Sequence, residues 1–273
     1  MKKTEKFQLL HIFKRSIYYF LVRNFLYLKR VFSKNIDNTF LFILSPPYCG
    51  STLLNQFISS SKNVSCNNNL GTREGQLLPG VRHFMFQKDR WDESVEYPWK
   101  EIKYIWMKYW DISHEILLDK SIPNIMRVKE IRKVFKPIYY ICMVRNPYAQ
   151  VEGIMRRNHD NSNNAAIFAL KCLEYQKLNI ENETNLLFFT YEQLCENSKE
   201  VMKKIIEFIP KLDDLDIEMQ FSAHNFKTKG KMKMTNLNSE KISKISDKDI
   251  EVINSVFKKR KDLLEFFNYK IEK

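Results

Sequence analysis

Apolar residues fall along this chain in short unbroken runs, with helically spaced apolar stripes between them. Phe40–Leu44, Val64–Cys66, Ile116–Leu118, Ile138–Val144 and Leu186–Phe189 have strand length. Ile138–Val144, IYYICMV, is the near-continuous kind of run that a parallel sheet buries on both faces. Between the runs, Leu53, Leu54, Phe57 and Ile58 give an inward stripe over residues 51–60. Met126, Ile131, Val134 and Phe135 give another, with Pro123 suited to a first helical position. Helices are expected after Pro147 as far as Arg157, over 163–179, and over 200–208 with Val201, Ile205 and Phe208 on one face. Ser246-x-x-Asp249 opens a last helix as a capping box, with Ile250, Ile253, Phe257 and Leu264 inward. Strand–helix alternation from residue 40 to 208 predicts an α/β fold, a three-layer sandwich with a mostly parallel central sheet.

Two stretches stand apart from that alternation. Residues 91–110 are dense in aromatics, and Trp99, Ile102 and Trp106 fall at helical spacing, so a helix packed on the core is expected. A wall of rings for a bound acceptor is the alternative. Residues 1–38 are basic and apolar together: nine Lys/Arg against Glu5 and Asp37. Their richest apolar stretch, Ile17–Val22, is too short to span a bilayer, and no small-residue cleavage site follows. They read as a helical arm packed on a domain formed by residues 39–273, with an amphipathic helix on an anionic membrane as the alternative.

The 273 residues suffice for one sizeable core. The formal net charge of +13 points to an anionic partner. By charge alone, nucleic acid, an acidic membrane surface, a nucleotide and a polyanionic acceptor all qualify. Cys49, Cys66, Cys142, Cys172 and Cys195 form no C-x-x-C pair, which argues for reduced thiols in a cytoplasm. No His/Cys cluster or acidic pair has ligand spacing, so no metal is expected.

The candidate chemistry starts at Phe40–Leu54, FLFILSPPYCGSTLL. A strand is stopped by Pro46 and Pro47, Gly50 lets the backbone turn, and Ser51 and Thr52 open a helix. A helix N-terminus offers unpaired N–H groups and partial positive charge, which suits a phosphate. It is not a Walker A loop, because Ser51 follows Gly50 with no lysine between. Nor is it a dinucleotide fingerprint, having one glycine. Glu74 lies in a loop between Gly71 and Gly75, just past the second strand. Lys120 follows the third strand. Arg145 follows the fourth, where a guanidinium can fork onto phosphate. Residues 224–236, HNFKTKGKMKMTN, read as a basic loop able to cover an anion.

These stretches, in this order, resemble the sulfotransferases that use 3′-phosphoadenylyl sulfate (PAPS). The similarity runs over roughly residues 39–269, with bacterial sulfotransferase-like and tyrosylprotein sulfotransferases as the nearest kin. It implies a P-loop-like nucleotide-binding fold and transfer of a sulfuryl group from PAPS to a hydroxyl-bearing acceptor. Pro47, Tyr48, Cys49, Gly50, Ser51, Thr52 and Leu53 resemble the 5′-phosphosulfate loop, and Arg145 the arginine at the 3′-phosphate. Tyr191, in YEQL, resembles the tyrosine near the adenine. Glu74 is similar to the general base, and Lys120 to the lysine on the transferring sulfonate. Lys227 and Lys229 resemble the basic loop that closes on the 3′-phosphate. On this reading the partners are an anionic nucleotide and a hydroxyl acceptor (glycan, tyrosine or small alcohol), with no nucleic acid. The expected place is the cytoplasm, with the arm offering contact to the inner membrane face.

Two positions depart from the family pattern. Tyr48 stands where a Lys or Arg is usual, which removes a charge from the leaving phosphate. Gly153 stands where a serine eight residues after the arginine is usual. The first keeps open a pseudoenzyme that binds PAP, the desulfated product, without turnover. A P-loop phosphotransferase and a basic adaptor built on residues 1–38 are further alternatives.

Overall fold

The structure is a computed structural model that describes residues 3–33, 36–222 and 231–272. A long helix, α1 (Lys3–Phe32), precedes the first strand, β1 (Thr39–Leu44). Then come α2 (Ser51–Ile58), β2 (Val64–Cys66), α3 (Arg82–Met85), α4 (Trp99–Trp106), β3 (Ile116–Asp119) and α5 (Val128–Val134). β4 (Ile138–Val144), α6 (Pro147–Asn158), α7 (Ser162–Asn182), β5 (Leu186–Thr190), α8 (Tyr191–Glu196) and α9 (Ser198–Phe208) complete the alternation. A two-residue hairpin, β6 (Phe221–Ser222) with β7 (Lys231–Met232), and α10 (Asn238–Ile242), α11 (Asp247–Phe257) and α12 (Lys261–Phe266) close the chain.

The sheet is wholly parallel, in the order β2-β3-β1-β4-β5. Strand alternation sorts its side chains into two layers. Phe40, Phe42 and Leu44 join Leu117 and Tyr140 on the face covered by Trp99, Ile102, Trp106, Trp110 and Phe135. Leu41, Ile43, Leu118, Ile141 and Met143 meet Leu54, Phe57, Val201 and Ile205 on the other. Each such side chain, fully buried, contributes roughly 1.5–3 kcal/mol of transfer free energy. A third cluster joins α6, α7, α11 and α12 through Tyr148, Leu173, Phe257 and Leu264.

The register sets the site. Phe42 lies opposite Asp119, Leu44 opposite Cys142, and Val144 opposite Thr190. The chain therefore leaves β1, β3 and β4 side by side. Consecutive strands are laid to opposite sides of β1, and ligands of open α/β sheets bind outside the carboxyl ends at such a reversal.

One expectation holds against its alternative, and two need correction. The aromatic stretch is core, not an acceptor wall: Trp99, Trp106 and Trp110 are at most 5% exposed, so their ring faces are already covered. Ser246 does cap a helix, accepting from the Asp249 N–H, but that helix ends at Phe257. A tight turn over Lys258–Arg260, with Arg260 at φ −134°, re-aims the chain so that Leu263 and Leu264 still reach the core. The basic stretch read as loop is entered and left by the β6–β7 pair, anchored by buried Phe221. Lys227 and Lys229 lie outside the described residues.

Candidate active site

The turn after β1 is built by two left-handed residues, Tyr48 at φ 66° and Gly50 at φ 89°. Gly50 caps α2, and a Cβ on it would lie 2.6 Å from the Tyr191 ring. No other residue fits there. Leu53 and Leu54 donate their N–H groups to the Gly50 carbonyl, at 2.9 and 3.2 Å, starting the helix. The first N–H groups of α2 thus face outward at the carboxyl end of β1, without intrahelical partners. Cys49 points inward and is fully buried; burial pushes its thiol up to about 12, so it packs as a neutral side chain. Pro47 is half-buried on the rim, and Leu53 packs on the core beneath.

Lys120 joins this turn to the Glu74 loop. Its Nζ donates to Ser51 Oγ (3.1 Å), Thr52 Oγ1 (3.1 Å) and Glu74 Oε1 (3.2 Å). The lysine is 2% exposed and the glutamate 7%. A buried ion pair costs desolvation that its attraction only partly offsets, so such pairs mark a function more than a gain in stability. Glu74 Oε2 accepts from Gln76 Nε2.

Beneath the pair sits Asp119, which the sequence reading passed over. It is fully buried at the end of β3. Oδ1 accepts from Asn67 Nδ2 (2.9 Å), the Gly75 N–H (3.0 Å) and Ser121 Oγ (3.1 Å). Oδ2 accepts from the Ser121 N–H (2.9 Å) and Asn124 Nδ2 (2.8 Å). Burial raises its pKa and these hydrogen bonds oppose the rise. All five partners are donors, so the ionised form is the one the surroundings address. The residue thereby pins the chain on the far side of Glu74 and of Lys120. Trp106 supports the same loop, its indole N–H donating to the Gly75 carbonyl at 3.1 Å.

Arg145 closes the other side. It is 4% exposed; Nε donates to Asn238 Oδ1 (2.7 Å) and Nη1 to the Tyr48 carbonyl (3.3 Å). Its Nη2 is buried with no hydrogen-bond partner. The guanidinium lies 4.1 Å from the centre of the Tyr191 ring, which packs between it and Gly50. Tyr191 leads α8, whose capping box is Thr190 with Gln193, and its hydroxyl donates to the Thr235 carbonyl at 2.9 Å. Glu192 ties the corner together, accepting from the Asn146 N–H (2.8 Å) and the Tyr269 hydroxyl (3.0 Å). Glu192 had a signal, its place beside Tyr191; Asn238, 93 residues from Arg145 along the chain, had none.

The two family departures prove to be one contact. A Cβ on Gly153 would lie 2.7 Å from the Tyr48 Cβ. Tyr48 lies along α6, its hydroxyl donating to Asn158 Oδ1 at 2.7 Å. Gly153→Ser is therefore expected to destabilise the fold by about 1–3 kcal/mol, read as a fall in thermal midpoint. Tyr48→Gly, which suits φ 66°, should restore most of that loss in the double variant.

All described candidates gather at the carboxyl ends of β1, β3 and β4, around one buried lysine and one buried arginine. Among the described residues, no group of three or more His, Cys, Asp or Glu side chains is placed to hold a metal ion. The fold and site define a parallel-sheet α/β protein that brings cations, hydroxyls and a helix start together at one end of the sheet. The chain belongs to the sulfotransferase family: the sequence profile described as "Sulfotransferase family" matches residues 41–212, more than half of its length. No curated protein matches the chain. Among solved structures it is similar to the sulfotransferase domain from the curacin biosynthetic pathway, at TM-score 0.51 and 14% identity, covering 86% of this chain and 99% of that one. It is similar also to the sulfotransferase domain of the Synechococcus PCC 7002 olefin synthase, at 0.50 and 19%, covering 88% and 99%. A third is a sulfotransferase from Alicyclobacillus acidocaldarius, at 0.51 and 9%, covering 84% and 96%. These likenesses are of fold.

Proposed function

We propose that the protein moves a sulfuryl group from PAPS to a hydroxyl acceptor, with residues 39–273 as the transferase domain and residues 1–38 as its arm. The observation that carries this reading is Lys120 Nζ, bonded at once to both hydroxyls of the α2 turn and to Glu74. An anion cradle, a cation and a carboxylate thus meet at one point. Bound PAPS would supply the transferable sulfuryl group and a nucleotide leaving group. Arg145 suits such a ligand because its Nη2 is buried without a partner and lies beside an aromatic ring.

Each residue then has a role. Gly50, Ser51 and Thr52 hold the 5′-phosphosulfate end through N–H groups and hydroxyls. Arg145 holds the 3′-phosphate, and Tyr191 borders the adenine. Glu74 accepts the proton of the attacking acceptor hydroxyl. Lys120 stabilises negative charge that develops on the sulfonate and the departing phosphate. Tyr48 brings no charge of its own, but Arg157, Arg90 and Arg156 all act on its hydroxyl, each lowering a pKa that burial raises. The assignment includes no metal.

Calorimetry with PAP and with ATP tests the donor. A charged hydrogen bond to the 3′-phosphate contributes about 1.5–3 kcal/mol, so PAP is expected to bind roughly 10- to 100-fold more tightly than ATP. Labelled PAPS with a panel of glycans, tyrosine peptides and alcohols then reads transfer. Tighter binding of ATP with Mg²⁺ would revive a phosphotransferase. PAP binding with transfer to no acceptor would favour the silent binder.

A further inference from the structure

Helix α1 has two apolar faces, and the domain covers only one. Tyr19 is buried, and Tyr18 and Val22 pack against the core cluster of the first sheet face. Lys29 Nζ meets Asp111 Oδ2 at 2.5 Å, and Arg30 donates to the Met107 carbonyl. The helix is therefore fixed to the domain. The opposite face carries Phe13, Ile17, Phe20, Leu21, Leu28 and Val31, each between 41% and 65% exposed. Their spacing makes one continuous helical stripe. Contiguous apolar surface of this kind marks an interaction site.

Charge identifies what covers it. From Phe13 to Ser33 the helix has no carboxylate, and of its five cations Lys29 and Arg30 are engaged by the domain and Arg15 by Tyr19, which leaves Lys14 and Arg23 exposed at the flanks of the stripe. A second copy laid on the same face would set these cations against one another with nothing to neutralise them. An anionic lipid surface satisfies both features, since acyl chains take the stripe and headgroups take the charge. No helix among the described residues is long and apolar enough to cross a membrane. We propose that α1 lies in the plane of an anionic bilayer, with its outward stripe sunk in the headgroup boundary. Because the inner face is locked to the core, docking orients the whole domain. The same helix reaches the candidate site: the Tyr19 hydroxyl donates to Asn68 Oδ1 (3.2 Å), and Asn68 Nδ2 donates to the Glu74 carbonyl (2.7 Å). Docking itself does not depend on the donor or the reaction.

Flotation of the full chain with vesicles of phosphatidylcholine, with and without phosphatidylserine, tests the proposal. Binding is expected to be about tenfold or more tighter with phosphatidylserine, if at least two of the cations engage headgroups, and to weaken with salt. Leu21→Glu/Leu28→Glu should abolish it. Both leucines are 59% exposed, so the thermal midpoint should hold. Arg23→Gln/Lys14→Gln should reduce the preference for phosphatidylserine and leave binding to neutral vesicles unchanged. Equal binding to both vesicles, or binding that survives the two glutamates, would overturn the proposal. So would a wild-type dimer that ignores vesicles and becomes monomeric in Leu21→Glu/Leu28→Glu.

Discussion

Replacing Glu74 with glutamine is expected to lower kcat for sulfuryl transfer by about 10²–10⁴-fold, the usual worth of a positioned general base, while PAP affinity is unchanged. The substitution keeps the shape of the side chain and removes its ability to take a proton. Its surroundings tolerate the change. One amide oxygen remains to accept from Lys120 Nζ. The new amide nitrogen faces Gln76, whose own Oε1 is buried without a partner. A half-turn of the Gln76 amide brings that oxygen round to accept, and turns its Nε2 to the buried side where Oε1 had no partner. Lys120 keeps a hydrogen bond but loses its counter-charge, so the thermal midpoint should fall; rates measured well below that midpoint let the loss in kcat be read as chemistry. Single-turnover assays with labelled PAPS, beside calorimetry with PAP, separate the two quantities. A variant that transfers at the wild-type rate removes Glu74 from the mechanism. A variant that binds PAP poorly makes it part of the donor pocket instead.

The contrast with Gly153 is informative. Its contact with Tyr48 is steric and reaches activity only through the shape of the turn, so its signature is a melting midpoint. Glu74 and Lys120 form a buried ion pair, so removing one partner also costs stability, and only assays well below the melting midpoint isolate the effect on rate. That effect is their signature.

What could be read from residues alone follows how local each feature is. All five central strands were legible, because a parallel sheet buried on both faces leaves continuous apolar runs such as Ile138–Val144. The anion turn was legible because Gly50, Ser51 and Thr52 are consecutive and their backbone geometry is set within a few residues. Glu74 and Lys120, 46 residues apart, are each an ordinary charged residue by spacing. Only the resemblance paired them. The break at Arg260 left no trace, since Lys258–Lys259–Arg260 contains neither Gly nor Pro and the turn is imposed by packing at Leu263 and Leu264. The partnership of Tyr48 with Gly153 was invisible for a different reason. The two positions differ from the family separately in sequence, and only the left-handed turn at Tyr48 brings one Cβ against the other residue. Asp119 was missed because a lone carboxylate at a strand end reads as solvated. Its burial follows from three segments meeting, at residues 67, 75 and 121–124.

That convergence makes Asp119→Ala the variant expected to cost most in stability. Five donors would lose their acceptor at a site with no solvent access. An unsatisfied buried donor costs about 1–3 kcal/mol, and the five are not additive because neighbours relax together. A loss of about 3–5 kcal/mol is therefore expected, the range for breaking one side of a buried charged network. In a chain of this size each kcal/mol moves the melting midpoint by about 2–4 °C, so the fall should be about 10 °C. Asp119→Asn should lie between, because one oxygen still accepts while the amide nitrogen confronts either the Gly75 side or the Ser121 and Asn124 side of the network. Catalysis should fall with the fold, and for a reason that can be isolated. The carboxylate holds the N–H groups of Gly75 and Ser121, the residues directly after Glu74 and Lys120. Freeing both lets the proposed base and cation drift, whereas Arg145 and the α2 turn keep other supports. In Asp119→Asn, assayed well below its melting temperature, kcat should drop much more than PAP affinity. Equal losses of the two would make Asp119 a general prop of the fold, with no special hold on the reacting pair.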